Sequence, residues 1–321
     1  MKNPRAFSRM QGLSLIELMI AVVLGSLVVV AVGNVYVSST RSFRTQEGMA
    51  RMQEGARFAF ETIGFDLRQA GFGCRSVSAA PVDATWWYKN LFTRPMQGYE
   101  NGAGSPTAAL DVDNTDSIRI LRADKNRETT ITAPGTTNAA HGMSANGLVV
   151  ISDAYADATV YVATAAAGTG YTLGAATPCT AAAVPDTAEF HLLPLAAHIY
   201  YIRNNPSGEP SLYRQTLQSG DGDGDGEPDV TAEELVEGVE DMQILYGEDT
   251  SQATVATCPD DGCSADAYVA ADAVVNWNRV VSERITLTMR TADNLSTDTS
   301  GADRRIRRTF TTTIAMRNRL L

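Results

Sequence analysis

The chain has 321 residues, of which 44% are hydrophobic and 20% are charged, and it carries 26 basic against 37 acidic side chains. This composition is close to that of globular proteins and excludes a collagen-like or a wholly disordered chain. The formal net charge of −11 would repel nucleic acid on average, so we expect no nucleic-acid partner.

The N-terminus contains a short basic segment followed by a long uncharged one. Lys2, Arg5 and Arg9 are the charged residues of the first twelve positions, whereas positions 18–40 carry no charged side chain. A helix rises about 1.5 Å per residue, so this segment can cross a hydrocarbon layer about 30 Å thick. The positive-inside rule keeps the basic flank in the cytoplasm and therefore predicts that the rest of the chain lies outside it.

An ordinary secretory signal peptide explains this segment poorly. Such a peptide has an apolar stretch of about 7–15 residues followed by a small-x-small cleavage site, and the sequence offers only the weak site Ala31-Val32-Gly33. In addition, Glu17 lies where the apolar segment begins, and a carboxylate in that environment is costly unless it gains a partner or a proton. We therefore interpret Glu17 as a functional residue.

The residues around this carboxylate resemble the signal of type IV prepilins. The run Gln11-Gly12-Leu13-Ser14-Leu15-Ile16-Glu17-Leu18-Met19 places a glycine before an apolar residue and a glutamate five positions into the remaining chain. The resemblance implies that prepilin peptidase cuts between Gly12 and Leu13, methylates the new amine and leaves the apolar helix on the protein. It also implies that Glu17 meets the amine of a neighbouring subunit in a fibre. Leu13 departs from the family, which most often has Phe there.

Beyond the apolar segment the chain is predicted to continue as an amphipathic helix. Apolar residues recur at steps of three or four, at Met49, Met52, Ala56, Ala59, Ile63 and Leu67. No Pro/Gly/Ser-rich linker follows Thr40, and Gly71 and Gly73 supply a stop signal, so we expect one helix from Leu13 to about Gln69, close to 85 Å long. The predicted divisions are a leader (1–12), a transmembrane half-helix (13–40), an amphipathic half-helix (41–70) and a body (71–321).

The body is predicted to contain antiparallel sheet, which makes the fold class α+β. Alternating patterns predict strands at 281–289 and 305–316, and residues 199–202 and 212–214 read as a hairpin closed by a turn at 204–208. Thr231 and Glu234 form a capping-box pattern that predicts a short helix with Leu235, Val236 and Val239 facing inward. Periodicity is weak between about 75 and 190, and we predict no element there.

Several blocks along the chain resemble the PilW family of minor pilins. They are residues 45–47, 57–59 and 66–71 on the helix, followed by 235–247 and 310–319 in the body. The resemblance implies a type IV pilin-like fold, in which a long N-terminal helix packs on an antiparallel β-sheet domain. It also implies a part in initiating type IV pilus assembly, and hence in twitching motility or adhesion.

The same resemblance implies a location and a set of partners. The chain would cross the inner membrane once, with its short N-terminus cytoplasmic and its body periplasmic, and would later enter the pilus fibre or its tip. Its partners would be prepilin peptidase, other minor pilins, the major pilin, the inner-membrane assembly platform and membrane lipid. Alternatives are a type II secretion pseudopilin, a tip adhesin and a membrane-tethered periplasmic enzyme.

Four cysteines fit an oxidising compartment, in which disulfides persist. They are Cys74, Cys179, Cys258 and Cys263, and three pairings are possible. Cys258 and Cys263 enclose the turn-forming residues 259–262, which favours a local bridge between them and leaves Cys74 to pair with Cys179. A zinc site is less favoured because further soft ligands at short spacing are missing.

One acidic segment has the spacing of metal ligands. Carboxylates alternate along it, at Asp221, Asp223, Asp225, Glu227 and Asp229. Together with Gly226 they match the first part of an EF-hand calcium loop, although position twelve is Ala232 rather than Glu. We predict a calcium site here, and the alternative is a solvated acidic turn between two strands. No other cofactor is expected.

Sequence signals of catalysis are missing. The chain has no G-x-S-x-G, P-loop or H-E-x-x-H pattern. His141, His191 and His198 fall in different segments, and we interpret them as surface or strand histidines. Trp86-Trp87-Tyr88 is interpreted as aromatic packing against the helix, with an exposed partner patch as the alternative. The sequence therefore indicates a protein that is not an enzyme.

Overall fold

A computed structural model of the chain describes residues 14–72, 94–112, 114–143, 145–153, 157–178, 186–218, 229–251, 264–295 and 303–316. These residues form one long helix and fourteen strands. The helix is α1 (Leu15–Gln69). The strands are β1 (Met96–Tyr99), β2 (Ser117–Ala123), β3 (Thr129–Ala133), β4 (Thr136–Thr137), β5 (Leu148–Asp153), β6 (Asp157–Ala167), β7 (Gly170–Pro178), β8 (His191–Asn204), β9 (Pro210–Leu217), β10 (Val230–Glu237), β11 (Val239–Glu248), β12 (Ala267–Val269), β13 (Val280–Arg290) and β14 (Arg307–Ala315).

α1 is continuous over 55 residues, which corresponds to a length of about 80 Å. The predicted amphipathic stripe is confirmed, because its members at positions 52, 56, 59, 63 and 67 are all buried against the body. The helix ends where predicted: Gly71 has a φ of +72°, in the left-handed region that favours glycine, and its N–H donates to the carbonyl of Leu121 at 2.9 Å. The end of the helix is thus tied to β2.

The first sheet has the order β1-β2-β8-β9-β10, and every pair in it is antiparallel. The predicted hairpin is confirmed as β8 and β9, in which Ile202 pairs with Leu212 and the turn contains Gly208 at a φ of +81°. The long strand β8 lies at the centre of this sheet.

The N-terminal part of β8 also belongs to a second unit. Pairings run from β8 through β3, β4, β7, β6 and β5 and return to β8, so these strands close into a ring. On β5, Val149 and Ile151 belong to one apolar cluster, while Leu148 and Val150 belong to another. Because β5 is covered on both faces, it lacks the alternation of polar and apolar residues that marks a half-exposed strand.

The third sheet has the order β12-β11-β13-β14 and carries the helix. Both strands predicted near the C-terminus are confirmed, as β13 and β14, and Ile285 pairs with Thr312 between them. α1 packs on β14, β13, β10 and β2, and the buried residues of these elements form one apolar core with the helix stripe. The architecture is α+β, as predicted.

The predicted short helix at 231–239 is wrong. This segment forms β10, which pairs with β9 so that Glu233 lies opposite Arg214, and the two side chains form an ion pair. A capping box satisfies two backbone N–H groups at a helix start, whereas pairing with β9 satisfies the backbone groups that face β9 from Val230 to Glu237. The strand ends at Glu237, and the φ of +81° at Gly238 allows the sharp turn into β11.

Candidate functional site

The N-terminal half of α1 is an apolar stretch of helix that the body does not cover. Every residue from Leu15 to Ser39 is exposed, and its large apolar side chains are between 47% and 76% exposed over positions 15–37. α1 is long and apolar enough to cross a membrane, and none of its most apolar stretch is buried inside the protein. Apolar surface of this extent requires lipid or another protein to cover it.

Glu17 lies in the first turn of α1 and is exposed. It is the one charged residue between Leu15 and Thr40. The macrodipole of the helix favours a negative charge at this end. Gly12 and Leu13, the predicted processing residues, lie outside the described residues.

The C-terminal half of α1 (residues 40–69), called the upper half below, has two distinct faces. Residues 15–39 are called the lower half. Ile63 is fully buried against the body, whereas Phe58 and Phe43 are 48% and 66% exposed. At about 100° of rotation per residue, Phe58 lies about 140° and Phe43 about 160° around the helix from Ile63. The face opposite the body therefore continues the exposed surface of the lower half and carries aromatic side chains.

Glycines bring the body-facing side of α1 close to the sheets. A Cβ on Gly55 would lie 2.9 Å from Cγ1 of Val236, and one on Gly48 would lie 3.0 Å from Cδ1 of Leu295. Separations near 3 Å leave no room for a side chain without movement of the neighbour. These glycines therefore set how closely the helix approaches the body.

A buried polar cluster fastens the upper end of α1. Asp66, which is 2% exposed, accepts a hydrogen bond from Nε of Arg122 at 2.8 Å and another from the hydroxyl of Tyr200 at 2.6 Å. Nε2 of His198 lies 3.7 Å from the same carboxylate, and its Nδ1 contacts Oγ1 of Thr216 at 3.1 Å. The carboxylate is thus held by a guanidinium and a hydroxyl from two strands of the first sheet.

Burial governs the ionisation of this cluster. It lowers the pKa of His198 to about 4, because desolvation of the imidazolium outweighs the attraction of Asp66. It also raises the pKa of the Tyr200 hydroxyl, and the negative charge of Asp66 raises it further. Around neutral pH the histidine is therefore neutral, and the tyrosine acts as a donor to Asp66.

The role of Asp66 was not predicted from the sequence. The residue was noted only because residues 66–71 resemble the PilW family. The available signal was a carboxylate within the apolar stripe, between Ile63 and Leu67 on the helix. A charge at that position is buried when the helix packs and so must find a partner. Its partner Arg122 lies in the segment for which no element was predicted.

A second set of charges joins the sheets near the end of β13. Glu209 is bound by Arg290 and Arg305, each at 2.7 Å, and these contacts lower the pKa of its carboxyl. Glu240 is bound by Arg290 at 3.1 Å and by Arg307 at 2.6 Å. These ion pairs connect the β8–β9 turn, β11, β13 and β14, and we interpret them as structural.

The prediction that the three histidines fall in different segments is wrong for two of them. His191 and His198 lie in β8, and His191 is within 2.5 Å of Oε1 of Glu128. His141 is buried in a loop rather than exposed; its Nδ1 accepts from the N–H of Met143, and its Nε2 contacts the carbonyl of Gly170. In the part of the chain that the structure describes, no three His, Cys, Asp or Glu side chains are grouped to hold a metal ion.

The remaining predicted site residues lie mostly outside the described ranges. This applies to Cys74, Cys179, Cys258 and Cys263, whose disulfides stay predictions, to Trp86-Trp87-Tyr88, and to Asp221, Asp223, Asp225 and Glu227 of the acidic loop. Asp229 is described: its carbonyl accepts from the N–H of Gln218 at 2.7 Å, next to the pair Leu217–Val230. Residues 219–228 thus connect β9 to β10, which pair with each other.

The C-terminal part of the chain matches a known protein family. Residues 199–318 match the model of the family PilW, described as type IV pilus-assembly protein W. The matched range includes the C-terminal part of β8, all strands from β9 to β14, and hence most of the surface on which α1 packs. No curated protein and no solved structure matches the chain. Over residues 199–318 the chain is thus similar to the PilW family of type IV pilus-assembly proteins.

Proposed function

We propose that the chain is a minor pilin that takes part in initiating type IV pilus assembly. The observation that carries this proposal is the division of α1 into a bare apolar half and a half bound to the body. Such a helix can rest in a membrane before assembly and can pack among other helices afterwards. In this proposal the chain is a structural subunit and a substrate of prepilin peptidase, not an enzyme.

Processing between Gly12 and Leu13 would prepare the helix for assembly. Cleavage removes a leader with three positive charges and creates an amine at Leu13, four residues before Glu17. Positions i and i+4 share a helix face, so amine and carboxylate are presented together. Inside a fibre, where the dielectric constant is low, a pair between Glu17 and the amine of a neighbouring subunit would fix the position of one helix relative to the next.

The location and partners follow from this role. The chain would be inserted in the inner membrane with its N-terminus cytoplasmic and its body periplasmic, and would then move to the fibre or its tip. It would contact prepilin peptidase, other minor pilins, the major pilin and the assembly platform. Through the pilus it would contribute to twitching motility or adhesion.

Mass spectrometry of the natural N-terminus tests the processing step. We expect a chain that begins with methylated Leu13. Gly12→Val places a branched side chain at the scissile bond and should leave the leader attached, whereas Gly33→Val, at a position with no neighbour within 4 Å, should not. An intact leader on the natural chain, or a cut beyond residue 40, would contradict the proposal.

Substitution of the carboxylate tests the assembly step. In cells that lack the natural gene, Glu17→Gln should be processed normally but should be missing from sheared pili, and twitching should be lost. The control Glu54→Gln makes the same chemical change at an exposed position of the body-bound half and should support twitching. Loss of exoprotein secretion with normal twitching would instead identify a type II secretion pseudopilin.

The acidic loop is proposed to bind calcium in the exported body. The pairing of Gln218 with Asp229 brings the loop ends together, and alternating carboxylates would repel each other without a cation. Calorimetric titration of the chain in detergent should show heat at millimolar calcium that disappears in Asp223→Asn/Asp225→Asn. Exposed Asp272→Asn is the matched control. The absence of heat in the unaltered chain would refute calcium binding.

A further inference from the structure

Two arginines lie where α1 leaves its uncharged segment. Arg41 and Arg44 are the first charged residues after Glu17, and both are exposed. Glu47 is the nearest acid along the helix, but it is bound to Arg51 at 2.6 Å. Across the described ranges, neither Arg41 nor Arg44 has an ion-pair partner. Two adjacent cations are thus left available to an external anion.

The position of these arginines along the helix axis would place them in the headgroup layer of a membrane. With Thr40 as the last residue of the uncharged segment, Arg41 and Arg44 lie about 2 Å and 6 Å further along the helix axis. The polar layer of each leaflet is about 5–8 Å thick, because the whole bilayer is about 40–45 Å and its hydrocarbon core about 30 Å. Both guanidinium groups therefore fall within reach of lipid phosphates.

The lower edge of the body lies just above this layer. Gly48 meets Thr291 and Leu295 of the segment after β13, and it lies about 12 Å beyond Thr40 along the axis. Arg41 is seven residues before Gly48 and so lies on the same face of the helix, beneath that edge. The space between Thr291 and Leu295 and the hydrocarbon core is therefore about 12 Å, which is enough for a headgroup layer about 5–8 Å thick.

A groove of about 800 Å³ opens beside Arg44, between α1 and the body. Leu295 and Asp293 line its body side near this end, while Glu54 and Glu237 line it further from the membrane, around Gly55. Arg44, which has no ion-pair partner among the described residues, thus lies at the membrane end of the groove, whereas Arg51 and Arg290 further along are bound to Glu47 and Glu209.

We propose that Arg41 and Arg44 bind the phosphate of an anionic phospholipid, such as phosphatidylglycerol, in the leaflet next to the body. A guanidinium offers several N–H donors in a plane that matches phosphate oxygens. The bound headgroup would occupy the space beneath Thr291 and Leu295 and hold the body at a defined height before assembly. Extraction of the chain into a fibre would then have to release this lipid.

This inference rests on the membrane insertion that belongs to the proposed function. The full chain is reconstituted in nanodiscs that contain phosphatidylcholine and phosphatidylglycerol, then released, and the lipids that remain bound are identified by native mass spectrometry. The test variant is Arg41→Gln/Arg44→Gln. The matched control is Arg57→Gln/Arg308→Gln, which removes the same charge at exposed positions away from the membrane end.

The unaltered chain and the control should retain phosphatidylglycerol in preference to phosphatidylcholine. Each juxtamembrane arginine contributes about fivefold to binding of anionic lipid, so the double variant should reduce this preference by roughly 25-fold. High salt should weaken it in the same direction. Equal retention of both lipids by the unaltered chain, or unchanged preference in the double variant, would overturn the inference. Failure of the chain to enter nanodiscs would instead refute membrane insertion.

Discussion

Arg122 and Asp66 form a buried ion pair that joins β2 to the last turn of α1. Nε of the arginine lies 2.8 Å from Oδ1 of the aspartate, and their side chains are 8% and 2% exposed. The residues are 56 positions apart in the chain. The pair therefore fixes the C-terminal end of the helix on the body, while the N-terminal half stays uncovered by the body.

Removal of the aspartate charge should strongly destabilise this attachment. Asp66→Asn leaves the buried guanidinium without its counter-charge, and we expect the free energy of unfolding to fall by about 3–5 kcal/mol in a denaturant titration. The control Asp124→Asn removes a carboxylate that lies 3.4 Å from the same arginine but is more exposed, and it should cost less than about 1 kcal/mol. Equal costs for the two variants would contradict the structural role of Asp66.

The position of β1 against β11 depends on a glycine. A Cβ on Gly98 would lie 2.0 Å from the hydroxyl oxygen and 2.3 Å from Cζ of Tyr246, whose ring is fully buried and packs edge-on against Trp277. Gly98→Ala should therefore lower the melting temperature markedly, with a loss of roughly 3 kcal/mol or more. Gly170→Ala is the control, since its added Cβ would have no neighbour closer than 3.7 Å. A tolerated Gly98→Ala would show that Tyr246 can move.

Acid should lower the stability of the fold through protonation of His198. Its pKa is about 4 in the folded chain and about 6.5 when unfolded, so the unfolded state binds a proton first as the pH falls. Stability contributed by the neutral imidazole is therefore lost between pH 6.5 and pH 4, by up to about 3 kcal/mol. His198→Gln should flatten the dependence of unfolding free energy on pH in this window. An unchanged slope would contradict the burial of the neutral ring.

Asp116 should change the dependence of unfolding free energy on pH in the opposite direction to His198. Burial raises its pKa to about 6, against the hydrogen bonds that it accepts from the N–H groups of Asn101 and Ile244, and the charges of Glu100 and Asp241 raise it further. The folded state then binds the proton first, so this group adds stability as the pH falls from about 6 to about 4. Asp116→Asn should therefore make the acid loss steeper, while Asp272→Asn, an exposed change, leaves the slope as it is.

Substitutions on the two faces of the upper half of α1 should have different effects, one on stability and the other on assembly. Ile63→Ala removes a fully buried side chain and should cost about 2–5 kcal/mol. Phe58→Ala changes a half-exposed ring and should alter stability by only about 0.5 kcal/mol, yet it should reduce the amount of chain in sheared pili. Normal incorporation of the Phe58 variant would show that this face does not contact a neighbouring subunit.

Local patterns were sufficient for the helix and for the C-terminal strands. The stripe from Met52 to Leu67 follows the 3.6-residue period of one helix, and β13 and β14 have faces of different exposure that produce alternation. The uncharged segment with its single carboxylate at Glu17 was likewise readable, because a membrane imposes length and polarity on consecutive residues. These features depend on neighbours in the chain.

Tertiary structure decided the features that depend on distant residues. The segment 231–237 is a strand because β9 is available to pair with it, and the ring around β5 is hidden in the sequence because both faces of that strand are covered. Asp66 is a buried anchor rather than a surface charge only because Arg122 and Tyr200 arrive from β2 and β8. The sequence alone determined that this chain is a membrane-length helix joined to a sheet domain. Packing between segments far apart in the chain decided which charges are buried and which groups they contact. The reason is that the cost of burying a charge depends on its surroundings in the folded protein, and not on its neighbours in the sequence.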